Sequence, residues 1–110
     1  MSTKTEVPQG TLDLMILKTL DLAPMHGYGI MQRLRQLTEG LFEVTPGSMF
    51  PALQRMEEQG WIKGEWGSSE NNRRARHYSI TKSGRKQLEK KKEHWGEIVL
   101  AISNVLDATS

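Results

Sequence analysis

Residues 45–81 restrict the fold of this chain more than any other segment, because helix and strand signals follow one another there without a gap. Thr45 is a suitable N-cap, and Pro46 has no amide proton to lose at the first helical position. Gly60 suits the left-handed residue that ends a helix. Spacings of four and three place three apolar side chains on one predicted buried face: Met49, Leu53 and Met56. The segment therefore predicts a short helix, which we call the reading helix, with one apolar face.

A basic hairpin is predicted directly after the reading helix. Residues 61–66 alternate as a strand, residues 77–80 supply a partner strand, and Gly, Ser and Asn residues lie between them. Four basic side chains accompany this hairpin: Lys63, Arg73, Arg74 and Arg76. Taken alone, the charge run is explained equally well as a solvated surface. Beside a helix that can fill a DNA major groove, contact with phosphates is the better explanation.

The face of the reading helix opposite its apolar side carries the groups that we expect near DNA: Ser48, Gln54 and Arg55. Phe50 is a candidate contact to a thymine methyl group. Gly47 lets the backbone approach a phosphate, since a helix start presents free amides to anions. Tyr28, in an earlier helix, either donates its phenolic hydrogen to a phosphate or packs between two helices.

Two further helices are predicted before the reading helix. Residues 11–22 carry apolar side chains on more than one side, which predicts a helix buried against several neighbours. Ala23 and Pro24 end it. The next helix is expected from residue 27 to about residue 37, and would cross the DNA backbone while the reading helix contacts bases.

One long helix is predicted from the N-cap Thr81 to about residue 106. Its apolar residues recur every seven positions, which favours association with a second copy of the chain. Lys91 occupies one expected apolar position, so a short helix-to-helix contact between two copies is expected instead of an extended coiled coil. The predicted dimer interface consists of Leu88, Trp95, Ile98, Val99, Ile102, Val105 and Leu106.

Composition and charge fit a small soluble protein with a polyanionic partner. The chain has 110 residues, of which 36% are hydrophobic, and a net charge of +2. Residues 63–92 hold ten Lys or Arg and three Glu, a local charge of +7. Such a patch fits nucleic acid; a membrane surface would also accept it, but the apolar stripe of an interfacial helix is missing. No apolar run is long enough to span a membrane. Residues 1–9 resemble a flexible arm and not a secretory signal. A cytoplasmic location is therefore expected.

The sequence offers no support for catalysis. No acidic pair stands beside a nucleophile in a recognisable motif, and the three histidines lack the spacing of metal ligands. The absence of cysteine excludes disulfides and thiolate metal sites. His26 is expected to cap a helix or to pack. We therefore expect no enzyme activity, no metal and no cofactor.

Three motifs resemble the PadR family of bacterial transcriptional regulators: GTLDLMILKTLDLAPMHGYGIMQRL at residues 10–34, GSMFPALQRMEEQGWIKGEW at residues 47–66 and RRARHYSITKSGRKQLE at residues 73–89. They stand in the order and spacing of that family and cover nearly the whole chain. One departure is Phe50, where the family commonly has tyrosine. A contact through that hydroxyl group is therefore not carried over.

The resemblance implies a mostly helical α+β fold, with a winged helix-turn-helix domain over residues 10–81 and a dimerisation helix over residues 82–110. It also implies a homodimeric regulator of transcription that binds double-stranded DNA, acts as a repressor and binds a palindromic operator. Two alternatives remain open. One is an architectural protein that binds DNA without sequence choice, and the other is a winged-helix adaptor that binds protein.

The resemblance also suggests an effector pocket. In short family members without a separate C-terminal domain, the dimer interface around the last helix can enclose a pocket for flat, apolar, often cationic compounds, with a tryptophan lining it. This chain ends soon after that helix and so resembles a short member. The expected pocket for a small aromatic or cationic effector contains Met15, Trp95, Ile98 and Val99. The alternative is that Trp95 only anchors the dimer.

Overall fold

The computed structural model describes residues 10–68 and 74–110. Its elements are α1 (Leu12–Leu22), β1 (Met25–His26), α2 (Gly27–Leu37), α3 (Pro46–Glu58), β2 (Ile62–Ser68), β3 (Arg74–Ile80) and α4 (Lys82–Leu106). This confirms the mostly helical α+β fold, and α3 is the reading helix. The predicted arm at residues 1–9 and the predicted DNA contact Arg73 lie outside the described residues.

The strands form one antiparallel sheet in the order β1–β3–β2. β2 and β3 are the predicted hairpin, which we call the wing, and each is longer than its sequence pattern indicated. β1 was not predicted. Its two residues pair Met25 with Tyr78 and His26 with His77, and so attach the start of α2 to the middle strand of the wing.

α1 is the centre of the domain, as its apolar pattern predicted. It contacts α2, α3, α4 and β3. Its buried polar residue Thr19 donates its hydroxyl hydrogen to the Met15 carbonyl at 2.7 Å, so burial leaves no hydrogen-bonding group unsatisfied. The other elements add to the same core through Ile30, Leu34, Met49, Leu53, Met56, Ile62, Tyr78, Ile80 and Leu88. A single core therefore holds α2, α3 and the wing in fixed relative positions.

The start of α4 is attached to the turn between α3 and the wing. Thr81 Oγ1 accepts a hydrogen bond from the Gly84 amide at 3.0 Å, and it lies 2.6 Å and 3.0 Å from the carbonyl oxygens of Gly60 and Trp61. A Cβ atom at Gly84 would lie 2.0 Å from the Trp61 carbonyl oxygen, so only glycine allows this close approach. Beyond the buried Leu88, α4 leaves the core.

Candidate nucleic-acid interface

α3 presents its first turn to solvent. The Ser48 amide donates to Thr45 Oγ1 at 3.3 Å, which confirms Thr45 as the N-cap. The predicted apolar face is fully buried, because Met49, Leu53 and Met56 each have 0% exposure. Burial of this face leaves the side of α3 that includes Gly47, Ser48, Pro51 and Gln54 exposed.

Tyr28 and Phe50 form an aromatic contact between the start of α2 and α3. Their rings meet edge to face with centroids 5.6 Å apart. Phe50 is half-buried over Gly27, where an added Cβ atom would lie 2.6 Å from the Phe50 ring. Tyr28 remains 61% exposed. Part of the Phe50 ring is therefore used to join the two helices, and the exposed phenol of Tyr28 stands beside α3.

One face of the wing carries an aromatic and basic cluster. The strand register places Trp66 opposite Arg76, and Ser68 opposite Arg74. The Cζ atoms of Arg74 and Arg76 lie 4.7 Å and 5.6 Å from the centroid of the Trp66 ring, within the range of cation–π attraction. Trp66 is 57% exposed, and it was not among the predicted DNA contacts. Its ring orients both guanidinium groups on the same side of the wing.

Lys63 lies on the other face of the wing. Side chains alternate along a strand, so Lys63 and Glu65 share the face opposite Ile62 and Trp66. The Lys63 ammonium lies 2.9 Å from a Glu65 carboxylate oxygen, and this contact lowers the pKa of the Glu65 carboxyl group. The structure thus separates Lys63 from the cluster with which it was predicted to act.

Two of the predicted DNA-contacting arginines bind carboxylates of the protein itself. The Nη1 and Nη2 atoms of Arg55 donate to the two oxygens of Asp13 in α1, at 2.6 Å and 2.8 Å. Arg76 donates through Nη2 to Glu57 of α3. In each case the hydrogen bond to the carboxylate is the main cause that raises the arginine pKa. Asp13 and Glu57 were not predicted as partners, since residues separated by 42 and 19 positions leave no local pattern.

Two adjoining depressions separate α3 and the start of α2 from the wing, with volumes of about 450 Å³ and 550 Å³. Phe50, Arg76 and Tyr78 line both of them. Tyr28, Trp66 and Arg74 border the first, and Gln54 borders the second. Five of the predicted DNA contacts therefore share one continuous surface: Tyr28, Phe50, Gln54, Arg74 and Arg76. Arg55 turns to α1, and Lys63 lies outside this surface.

A smaller cavity of about 250 Å³ lies between the first turn of α1 and the middle of α4. Its lining includes Gly10, Thr11, Leu14, Lys90, Lys91, His94, Trp95 and Ile98. Of the predicted effector residues, Trp95 and Ile98 border this cavity, whereas Met15 and Val99 lie outside its described lining. Leu14 occupies the side where Met15 was expected.

The predicted dimer residues divide into two groups. Leu88 is 2% exposed and packs in the core of its own protomer. Ile98 is half-buried, and the other five side chains are exposed, from 42% for Trp95 to 77% for Leu106. Leu88 is therefore covered within its own chain, whereas the second half of α4 leaves apolar side chains exposed.

His26 caps α2, as expected. Its Nδ1 accepts a hydrogen bond from the Gly29 amide at 2.9 Å, and its ring meets His77 edge to face. Within residues 10–68 and 74–110, no three His, Asp or Glu side chains are grouped to hold a metal ion. None of the helices in those ranges is long and apolar enough to cross a membrane.

A helix that follows another helix across the connection of residues 38–45, beside an antiparallel hairpin, is the arrangement of a winged helix-turn-helix domain. The model of the PadR-like family of transcriptional regulators matches residues 16–90, which is most of the chain. The chain belongs to this family. Members are transcriptional regulators that bind DNA and are not enzymes.

Solved structures of similar proteins agree with this assignment. A transcriptional regulator from Clostridium thermocellum is 30% identical, with a TM-score of 0.79 over 91% of this chain and 96% of the other. A PadR-like transcriptional regulator from Bacillus cereus is 29% identical, with a TM-score of 0.78 over 92% and 96% of the two chains. The transcriptional regulator YqjI of Escherichia coli is 30% identical over 76% of this chain, but the match spans only 39% of its own length.

Proposed function

We propose that this protein is a cytoplasmic, homodimeric repressor that binds a palindromic operator and responds to a small ligand. α3 enters the major groove with its exposed first turn, and the wing contacts the neighbouring phosphates. The observation that supports this most directly is the shared surface of Tyr28, Gln54 and Arg74. It joins the start of α2, the exposed side of α3 and the basic end of the wing.

The residues on this surface suit different parts of a duplex. Gln54 carries an amide that can bond an adenine edge. Ser48 lies outside the two depressions, on the exposed first turn of α3, and offers its hydroxyl group there. Arg74 is exposed and lies over Trp66, so it approaches the backbone with its orientation already restricted. Tyr28 adds a hydroxyl donor, and the exposed part of Phe50 an apolar contact.

Dimerisation supplies the second half of the operator contact. The second half of α4 exposes Val99, Ile102 and Val105, and burying this surface between two copies stabilises their association. Two-fold symmetry then presents two reading helices, whose half-sites must be separated by about 34 Å of DNA or a multiple of it.

The cavity beside Trp95 is the proposed effector site. Trp95 is 42% exposed, so part of its ring is accessible beside the cavity. Trp95, Leu14 and Ile98 provide an apolar wall for a flat aromatic compound. Lys90 and Lys91 also line it and oppose a cationic ligand, so an aromatic compound without positive charge fits best. Each copy contributes one DNA-binding unit of α1, α2, α3 and the wing, which we call a reading head. A ligand that favours one separation of the two reading heads over another shifts DNA affinity.

Competition binding at fixed salt tests the proposal. A labelled duplex from the region upstream of the coding sequence is competed with the same duplex and with a shuffled duplex of equal length and composition. For a specific regulator, we expect the upstream duplex to compete roughly 10³-fold better or more. Equal competition would instead favour an architectural protein, and no binding even at low salt would favour a protein-binding adaptor.

A further inference from the structure

We propose that Arg55 and Arg76 position α3 and do not themselves contact DNA. Arg55 ties α3 to α1 through Asp13, and Arg76 ties α3 to the wing through Glu57. This inference rests on the proposed function, because it assigns roles within the DNA-binding surface. Two of the residues that were predicted to contact DNA would then act within the protein instead.

The end-on pair of donors of Arg55 is already used within the protein, although 49% of its side chain is exposed. An arginine reads guanine or grips a phosphate best with two parallel N–H donors. Both terminal nitrogens of Arg55 already bond the two oxygens of Asp13. The Asp13 side chain is only 13% exposed, so releasing Arg55 would leave a largely buried carboxylate without its partner. The pair therefore persists when α3 meets a duplex.

Arg76 is held in a comparable way on the other side of α3. Its side chain crosses the wing above Gly64, where a Cβ atom would lie 2.6 Å from Arg76 Nε. Glycine at this position allows the guanidinium group to lie between the Trp66 ring and the Glu57 carboxylate. The side chains of Arg76 and Glu57 are 30% and 31% exposed, so both are partly withdrawn from solvent.

Arg74 provides the contrast within the same cluster. It shares the Trp66 ring with Arg76, but it is exposed, and no carboxylate partner is found for it among residues 10–68 and 74–110. A phosphate would therefore meet an unneutralised charge at Arg74 and a neutralised one at Arg76. Because the two ion pairs, Arg55–Asp13 and Arg76–Glu57, lie on opposite sides of α3, they fix the angle of α3 to the wing. That angle decides whether bases and phosphates can be contacted together.

The salt dependence of DNA binding separates the two roles. Each phosphate contact that is lost lowers the slope of log affinity against log salt concentration by about 1. We expect this change for Arg74→Ala. Arg55→Ala and Arg76→Ala should keep the wild-type slope and lose preference for the operator over the shuffled duplex. A slope lowered as much as that of Arg74→Ala would overturn the proposal for the residue concerned.

Exchanging the two charged residues of an ion pair tests whether that pair positions α3. Arg76→Glu should weaken operator binding roughly three- to tenfold, and adding Glu57→Arg should restore most of that loss, because the tie is rebuilt in reverse. Arg55→Asp with Asp13→Arg is the matched pair on the other side. If Arg76 touched phosphate, the exchanged variant would bind as poorly as Arg76→Glu alone, since the carboxylate introduced on the wing would still repel the DNA backbone. That result would refute the positioning role.

Thermal unfolding tests the two ion pairs in the absence of DNA, and so does not depend on whether the protein binds an operator. In thermal unfolding, each single charge reversal should lower Tm more than the corresponding exchange of both charges. Equal or larger lowering in the exchanged variant would show that the tie does not exist in solution. If wild-type protein binds no duplex, the proposed function fails, whereas the thermal cycle still decides whether α3 is tied.

Discussion

The two halves of α4 belong to one continuous helix but have different surroundings. The first half begins at a cap that is attached to the α3–wing turn, and Gly84 and Leu88 are buried against the domain. The second half carries side chains of similar apolar character, yet Trp95, Ile102 and Val105 are exposed by 42%, 54% and 74%. One helix therefore supports the reading head at one end and exposes an apolar surface at the other.

The largest expected effect concerns the exposed half. Replacing Trp95, Ile98 and Ile102 together with polar residues should convert the proposed dimer to monomer, because the apolar surface proposed to drive association is lost. Sedimentation velocity at matched concentrations measures this, with circular dichroism as the control for folding. The helix should persist, since none of the three side chains is in the central core.

If the triple variant remained a dimer, the two copies would meet elsewhere. The exposed second half of α4 would then have no role in dimerisation. The monomer should also bind a single operator half-site weakly. Its affinity for the full operator should fall much further than its affinity for random DNA, because only the full operator uses both reading heads.

A matched pair of substitutions tests the difference in packing. Leu88→Ala should lower the free energy of unfolding by about 2–5 kcal/mol, since it opens a cavity in the core. Val105→Ala, which also shortens an apolar side chain, should change it by less than about 0.5 kcal/mol in the monomeric triple variant. Urea unfolding of both in that background avoids the dependence on protein concentration. Similar losses at the two positions would contradict the proposed division of α4.

Local signals predicted the helices well, because their caps lie in the sequence. Thr45 with Pro46, Thr81 and the buried spacing of Met49, Leu53 and Met56 required only neighbouring residues. The seven-residue recurrence of Leu88, Trp95 and Ile102 predicted a helix with one apolar side. It could not indicate that Leu88 meets its own domain while the other two remain exposed, since periodicity does not identify the partner.

Longer-range features were not predictable in the same way. β1 has two residues and exists through its pairing with β3, so it has no alternation of its own. Arg55 was predicted near DNA from its side of the reading helix, and Arg76 from the basic run beside that helix. Only the folded chain brings Asp13 and Glu57 to them. Lys63 is a different case, because the alternation of side chains along β2 already places it on the face opposite Ile62 and Trp66, and only its charge grouped it with the arginines.

The smallest expected effect concerns the attachment of the first half of α4. Thr81 caps α4 and also contacts two carbonyl oxygens of the preceding turn, whereas Thr45 is exposed and caps α3 with a longer hydrogen bond of 3.3 Å. Thr81→Ala should therefore cost about 1–2 kcal/mol of unfolding free energy, and Thr45→Ala about 0.5–1 kcal/mol. Urea unfolding in the monomeric background measures both. Equal costs would mean that Thr81 acts only as a helix cap, and that Leu88 and the close approach at Gly84 alone hold α4 to the reading head.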